Sequence, residues 1–283
     1  MLVLVRARCG VVGLGVLAAA LAGGCGMARP WEPTREDILE RILPSAVQVV
    51  VEQHEGRRVR TGSGVVIAAR RSTQGISCFV LTAGHTVSDG AGQRQTHVVF
   101  GRHLAAGTKL PAVVLARRES EAVDLALLRA ESDRCVPAPL GHPPVLGESV
   151  WVVAFPWGRH LTLAGGIVSQ LNGEADASPE SASRLMVDAS VSYGASGGGV
   201  YEARTGGLIG LVEGYRTARV SSQGTSSGWY IDVPVPGQTF VTPLADIRRF
   251  LGEVGYAELI GGVPSRARRG EGRSRPEPEA EAR

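Results

Sequence analysis

Lysine is almost missing from this chain: of thirty basic residues, 29 are arginine and only Lys109 is lysine. Such a skew reflects coding bias rather than a function. A surplus of charge is lacking too. The net charge is +3, and residues 1–24 and 264–283 carry +2 each, which leaves the body between them at −1. A body so near neutrality has no basic stripe to meet a phosphate backbone, so no nucleic acid partner is expected. No C-x-x-C or H-E-x-x-H spacing occurs and the six histidines are scattered, so no metal and no cofactor is expected either. Long helical patterns are scarce, and 38 glycines with 16 prolines argue against a coiled coil. A hydrophobic content of 43% excludes a wholly disordered chain, and 283 residues suffice for one or two domains with a substantial core.

The N-terminus has Arg6 and Arg8, an apolar run over 11–21, and small residues around Cys25. A positive flank, a short apolar stretch and small residues describe an export signal over 1–24. The run is shorter than the roughly 20 residues a spanning helix needs. Two readings stay open: ordinary cleavage, or a lipoprotein-type signal in which Cys25 is lipidated and tethers the protein to a membrane. Export places the protein in the periplasm or cell envelope, where disulfides can form. Cys78 and Cys135 remain in the body, either paired or as two buried thiols. At the other end, 257–283 reads as a disordered tail of Arg, Glu, Pro, Gly and Ser.

Between the ends, 25–44 is a linker with a short helix opened by a capping box at Thr34 and Asp37 and stopped by Pro44. β-type runs follow at 46–51, 64–68, 78–82, 97–100, 112–115 and 125–128. A second set lies at 149–155, 161–171, 185–189, 199–202, 208–212, 229–233 and 239–241. Only 244–251 has a later helical face. Many short strands without alternating helices indicate an all-β protein. A break near 137–147 divides it into two barrels, 45–136 and 137–256, the second with the terminal helix. Two barrels side by side leave a cleft, where sites tend to lie.

Three segments carry chemistry. A buried strand, 78–82, runs out at His85; Asp124 opens the apolar run Leu125-Ala126-Leu127-Leu128; and Ser196 sits in Tyr193-Gly194-Ala195-Ser196-Gly197-Gly198-Gly199. Each has a structural explanation when taken alone: a hydrogen-bonded histidine, an edge aspartate, a glycine turn. Together they fit one mechanism. Serine becomes a nucleophile when an imidazole takes its proton, and the imidazole needs a carboxylate to set its tautomer and stabilise its charged form. The glycines allow the N–H groups of Gly194 and Ser196 to form an oxyanion hole.

At these residues the chain resembles the trypsin-like (chymotrypsin-fold) serine proteases, closest to the bacterial HtrA/Deg type. The similar segments include Gly62-Ser63-Gly64-Val65-Val66-Ile67, Thr82-Ala83-Gly84-His85, Asp124-Leu125-Ala126-Leu127-Leu128, Gly165-Gly166-Ile167-Val168-Ser169 and 194–198, in family order across most of 42–252. The resemblance implies two six-stranded antiparallel barrels of the chymotrypsin type. It also implies His85 as general base and acid, Asp124 as its orienting carboxylate and Ser196 as the acylated nucleophile. Ser190, six residues before the nucleophile, would line the specificity pocket and favour small or medium apolar side chains. The loops 172–183 and 216–228 would border the cleft. Two departures stand out: Ala195 replaces the usual Asp or Asn, and Gly84 replaces a more usual alanine. The tail is too short for the PDZ domain of full HtrA enzymes.

The expectation is therefore an exported serine endopeptidase acting on unfolded or misassembled envelope polypeptides. A catalytically silent, peptide-binding module of the same fold is the alternative. An esterase is set aside, because its nucleophile elbow expects the acid and histidine after the serine and a helix behind it. Nothing in the sequence sets the oligomeric state.

Overall fold

The computed structural model describes residues 33–261 except 54–55, 74, 89–93, 102–106, 121–122, 172–184 and 222–229. The export signal, Cys25 and the tail beyond Gly261 lie outside the described residues, as does the loop 172–183. Among the described residues no helix is long and apolar enough to cross a membrane.

Helix α1 (Arg35–Ile42) starts at the expected capping box, in which the Thr34 hydroxyl accepts from Asp37 N and the Asp37 carboxylate accepts from Thr34 N. Six strands follow: β1 (Ala46–Gln53), β2 (Arg58–Ser72), β3 (Gly75–Thr82), β4 (Arg94–Phe100), β5 (Thr108–Glu119) and β6 (Asp124–Glu131). After a linker come β7 (Ser149–Ala154), β8 (Thr162–Leu171), β9 (Leu185–Val187), β10 (Gly199–Glu202), β11 (Leu208–Ser221) and β12 (Tyr230–Pro243), then α2 (Leu244–Glu253). Each set closes into an antiparallel barrel, in the orders β1-β2-β3-β6-β5-β4 and β10-β11-β12-β9-β8-β7. The all-β, two-barrel architecture with a helix near each end is the one expected.

Burial explains why the strands read as continuous apolar runs. In β3, Cys78 and Val80 point into the first barrel while Phe79 and Leu81 point out of it. In β6, Ala126 and Leu128 point in, and Leu125 and Leu127 out. The outward side chains are no less buried, because they meet Val153, Phe155, Tyr201 and Leu211 of the second barrel and Ile38 and Ile42 of α1. The largest apolar cluster is thus the seam between the barrels, and period-two alternation survives only as a choice between two interiors. At about 1.5–3 kcal/mol for each large side chain removed from water, this seam sets how the barrels sit.

Three expectations need correction. Of the runs 229–233 and 239–241, residues 230–233 and 239–241 belong to one strand, β12, whose long pairing with β11 carries it through Pro234 and Pro236 at register shifts. Residues 216–221 are the strand end of β11 and not loop. Residues 257–260 are folded and not tail, because Leu259 and Ile260 bury themselves against the seam and hold Ala257–Ile260 as one 3-10 turn. Cys78 and Cys135 are joined in a disulfide, Cα–Cα 5.4 Å, that ties β3 to the chain leaving β6.

Candidate active site

β3 and β6 are antiparallel neighbours, with Thr82 opposite Ala126, so the end of β3 lies beside the start of β6. The chain leaving β3 turns through Gly84–Val87 and carries His85; Asp124 is the first residue of β6. The Asp124 carboxylate holds the histidine twice. Its Oδ1 accepts the His85 backbone N–H at 2.8 Å, and its Oδ2 lies 2.5 Å from Nδ1 of the ring. That directs Nε2 away from the carboxylate. The hydrogen bond that the ring donates to Asp124 raises the His85 pKa above its ordinary value, partly opposed by burial.

Gly84 explains its own departure from alanine. A β-carbon there would come within 2.3 Å of Arg118 O and 2.8 Å of Asp124 Oδ1. The end of β5 and the aspartate therefore approach the histidine turn more closely than alanine would permit.

Ser196 sits in the turn before β10. Gly194 has φ +90° and Gly197 φ +84°, conformations that L side chains rarely adopt. A β-carbon on Gly197 would also meet Ser63 O at 2.2 Å. Ala195 N donates to Ser192 O and Gly198 N to Ala195 O, which closes the turn from within. The N–H groups of Gly194 and Ser196, by contrast, have no partner among the described residues. Ala195 is buried, and its methyl packs in the second barrel's apolar core with Ala154, Val168 and Ala189. No polar side chain precedes the serine; the turn is anchored by apolar packing and, from the other barrel, by Ser63.

Ser63 lies in a segment of family resemblance, but nothing in the sequence marks a role for it. It is 1% exposed and lies in β2. Its hydroxyl accepts from Phe155 N at 2.8 Å and donates to Gly194 O at 2.8 Å, while its N–H donates to Ser196 O at 2.8 Å. Two more residues were missed. Trp157 takes φ +57° beside the turn, donates its N–H to Tyr193 O at 2.7 Å, and sets its exposed ring 5.6 Å from that of Tyr193. Arg60 donates to His85 O and the Ser88 hydroxyl, pinning the histidine turn from outside. Glycine-flanked Ser63 and the Pro-Trp-Gly at 156–158 were the only hints in the sequence.

His85, Gly194 and Ser196 line one cleft of about 480 Å³, walled by Tyr193, Glu213 and Tyr215. No hydrogen bond joins the His85 ring to the Ser196 hydroxyl among the described residues. Such bonds commonly tighten only with substrate bound. Ser190 is exposed and is not among the residues lining this cleft. The arrangement therefore offers a carboxylate-oriented imidazole, a hydroxyl and two free backbone donors in one open groove. That set is suited to acyl transfer.

Comparison with known proteins points the same way. A family model described as "Trypsin-like peptidase domain" matches residues 62–211. The chain is 28% identical over 158 residues to "Protease Do-like 1, chloroplastic" of Arabidopsis thaliana, a match covering 50% of this chain and 35% of that protein. It thus spans about a third of that relative's length. In three dimensions it resembles the serine endoprotease from Yersinia pestis, with TM-score 0.57, 21% identity, and coverage of 79% of this chain and 67% of the other. That likeness concerns the fold.

Proposed function

Since this chain belongs to the trypsin-like peptidase domain family, we propose that it is a serine endopeptidase of the HtrA type. In this reading Ser196 attacks a peptide carbonyl while His85 takes its proton and passes it to the leaving amine. Asp124 holds the ring and stabilises its charged form, and the N–H groups of Gly194 and Ser196 receive the developing oxyanion. Water then releases the acyl-enzyme by the same route reversed. No step needs a cofactor. The observation that carries the reading is the double hold of Asp124 on His85, in the cleft that also presents Ser196.

The substrates we propose are unfolded or misassembled polypeptides of the cell envelope. The cleft is open and walled by exposed side chains such as Tyr193, which suits an extended chain of varied sequence. Export is supported by the Cys78–Cys135 disulfide, since such bonds persist in oxidising compartments. A lipid tether at Cys25 belongs to the same proposal.

A fluorophosphonate probe tests it. The wild-type chain should be labelled, Ser196→Ala should not, and only the wild type should digest an unfolded protein. A correctly folded wild type that takes no label would instead leave a peptide-binding module.

A further inference from the structure

Three side chains that no motif relates meet where the linker between the barrels lies on the second one. His142 is in that linker, Glu148 immediately precedes β7, and Glu202 ends β10. The linker is held there by Leu208, which donates to Pro139 O and accepts from Gly141 N. Nε2 of His142 lies 3.1 Å from Glu148 Oε1 and 3.3 Å from Glu202 Oε2. Each of the three residues places a ligand atom within 4.8 Å of those of the other two. The other ring nitrogen, Nδ1, is 2.7 Å from the carbonyl oxygen of Pro143. A carbonyl only accepts, so Nδ1 carries a proton and the neutral ring turns its lone pair on Nε2 toward two carboxylates. With the ring neutral, three electron-rich atoms converge on one point, which is unfavourable unless a proton on Nε2 or a metal cation stands among them.

We propose that His142, Glu148 and Glu202 bind a divalent transition-metal ion of the zinc class, clamping the linker to the second barrel.

Distances support this assignment. Nitrogen and oxygen ligands at about 2.0–2.2 Å from a tetrahedral ion stand roughly 3.3–3.6 Å apart; the two ligand separations at Nε2 are already close to that. The ligands are also aimed from behind, as metal ligands are. Pro143 O fixes the imidazole, Val145 N donates to Glu148 Oε2 at 3.2 Å, and Arg204 Nε stands 3.3 Å from Glu202 Oε1. The Thr205 hydroxyl donates to Glu202 Oε2, leaving that oxygen a further lone pair. Burial grades across the site, from 3% side-chain exposure at Glu202 through 15% at Glu148 to 44% at His142. One side is thus open to solvent for a water as fourth ligand. The imidazole selects a zinc-class ion over calcium or magnesium, which prefer all-oxygen sites. None of the three residues lines the catalytic cleft.

The rival occupant of this space is a proton on Nε2. Calorimetric titration of the chelator-treated full chain with Zn²⁺ separates the two. One equivalent should bind and raise the melting temperature, and Co²⁺ in its place should show the visible absorption of a four-coordinate centre. His142→Ala and Glu148→Gln should each weaken binding at least about tenfold, whereas His85→Ala should leave it unchanged. Should His142→Ala fail to fold, Glu148→Gln, a neutral isostere at a partly exposed position, carries the test alone. No binding to the wild type, binding that survives the variants, or binding lost in His85→Ala would each overturn the site.

Discussion

Asp124 grips both the backbone and the ring of His85, and the two bonds differ in consequence. The backbone bond places the histidine, while the ring bond sets its charge. General-base catalysis needs the neutral imidazole, and the aspartate raises its pKa. The acid limb of kcat/KM should therefore lie above pH 6.5, the ordinary value. Stability runs in the opposite sense. A raised pKa means the pair contributes fully below the unfolded value near 6.5, and that contribution is lost as pH rises through the folded pKa. Asp124→Asn should move the acid limb down and lower kcat by the order of 10⁴-fold through the wrong tautomer. A pH profile in which the limb stays put would remove the ring bond as its cause. These residues were readable in the sequence because each needs a recognisable setting: a strand end, an apolar flank, a glycine turn. Ser63 was not, since a serine between glycines in a β run has no mark that separates an anchor from an ordinary strand position. The His142 cluster was invisible for another reason. Its members are 6 and 54 residues apart along the chain, and only the pairing of β7 with β10 brings the last two together.

Among the elements, the strands were legible where both faces are apolar and illegible where hydrogen bonding alone extends them. β2 runs on through Arg70 and Arg71, and β5 through Arg117 and Arg118, because their pairing with β3 and β6 continues past the core. β12 crosses Pro234 for the same reason: its partner β11 continues opposite, and the register shifts there. The disulfide supplements this pairing. It closes 57 residues of sequence between β3 and the segment beyond β6, so it restricts the unfolded chain more than it alters the barrel. Replacing both cysteines by alanine should cost about 2–4 kcal/mol and lower the calorimetric melting temperature by several degrees. Reductant should have the same effect on the wild type and none on the double variant. An unchanged melting temperature would mean that the pairing of β3 with β6 already holds the segment.

At the scale of the whole molecule, the proposed function depends on how one barrel is set against the other, because His85 and Asp124 belong to the first and Ser196 and its turn to the second. The apolar seam fixes the distance between them but is non-directional. Direction comes from polar contacts across it, and Ser63 supplies three to the nucleophile's side: to Phe155 N, Gly194 O and Ser196 O. Its carbonyl in turn accepts from the buried Thr82 hydroxyl at the end of β3, the strand that leads to His85. Ser63 thus stands between the two halves of the site. Ser63→Ala would keep its backbone bond to Ser196 and lose the hydroxyl that holds the Gly194 peptide. A buried N–H and C=O would be left unpaired at about 1–3 kcal/mol, and the Gly194 donor would no longer be held in place. We expect kcat to fall roughly 10²-fold, toward the cost of losing one oxyanion donor, with KM little changed and the fold retained by circular dichroism. Loss of stability with kcat intact would show that the hydroxyl joins the barrels without setting the turn. A fall in kcat at unchanged KM would instead place the positioning of the oxyanion turn in the first barrel.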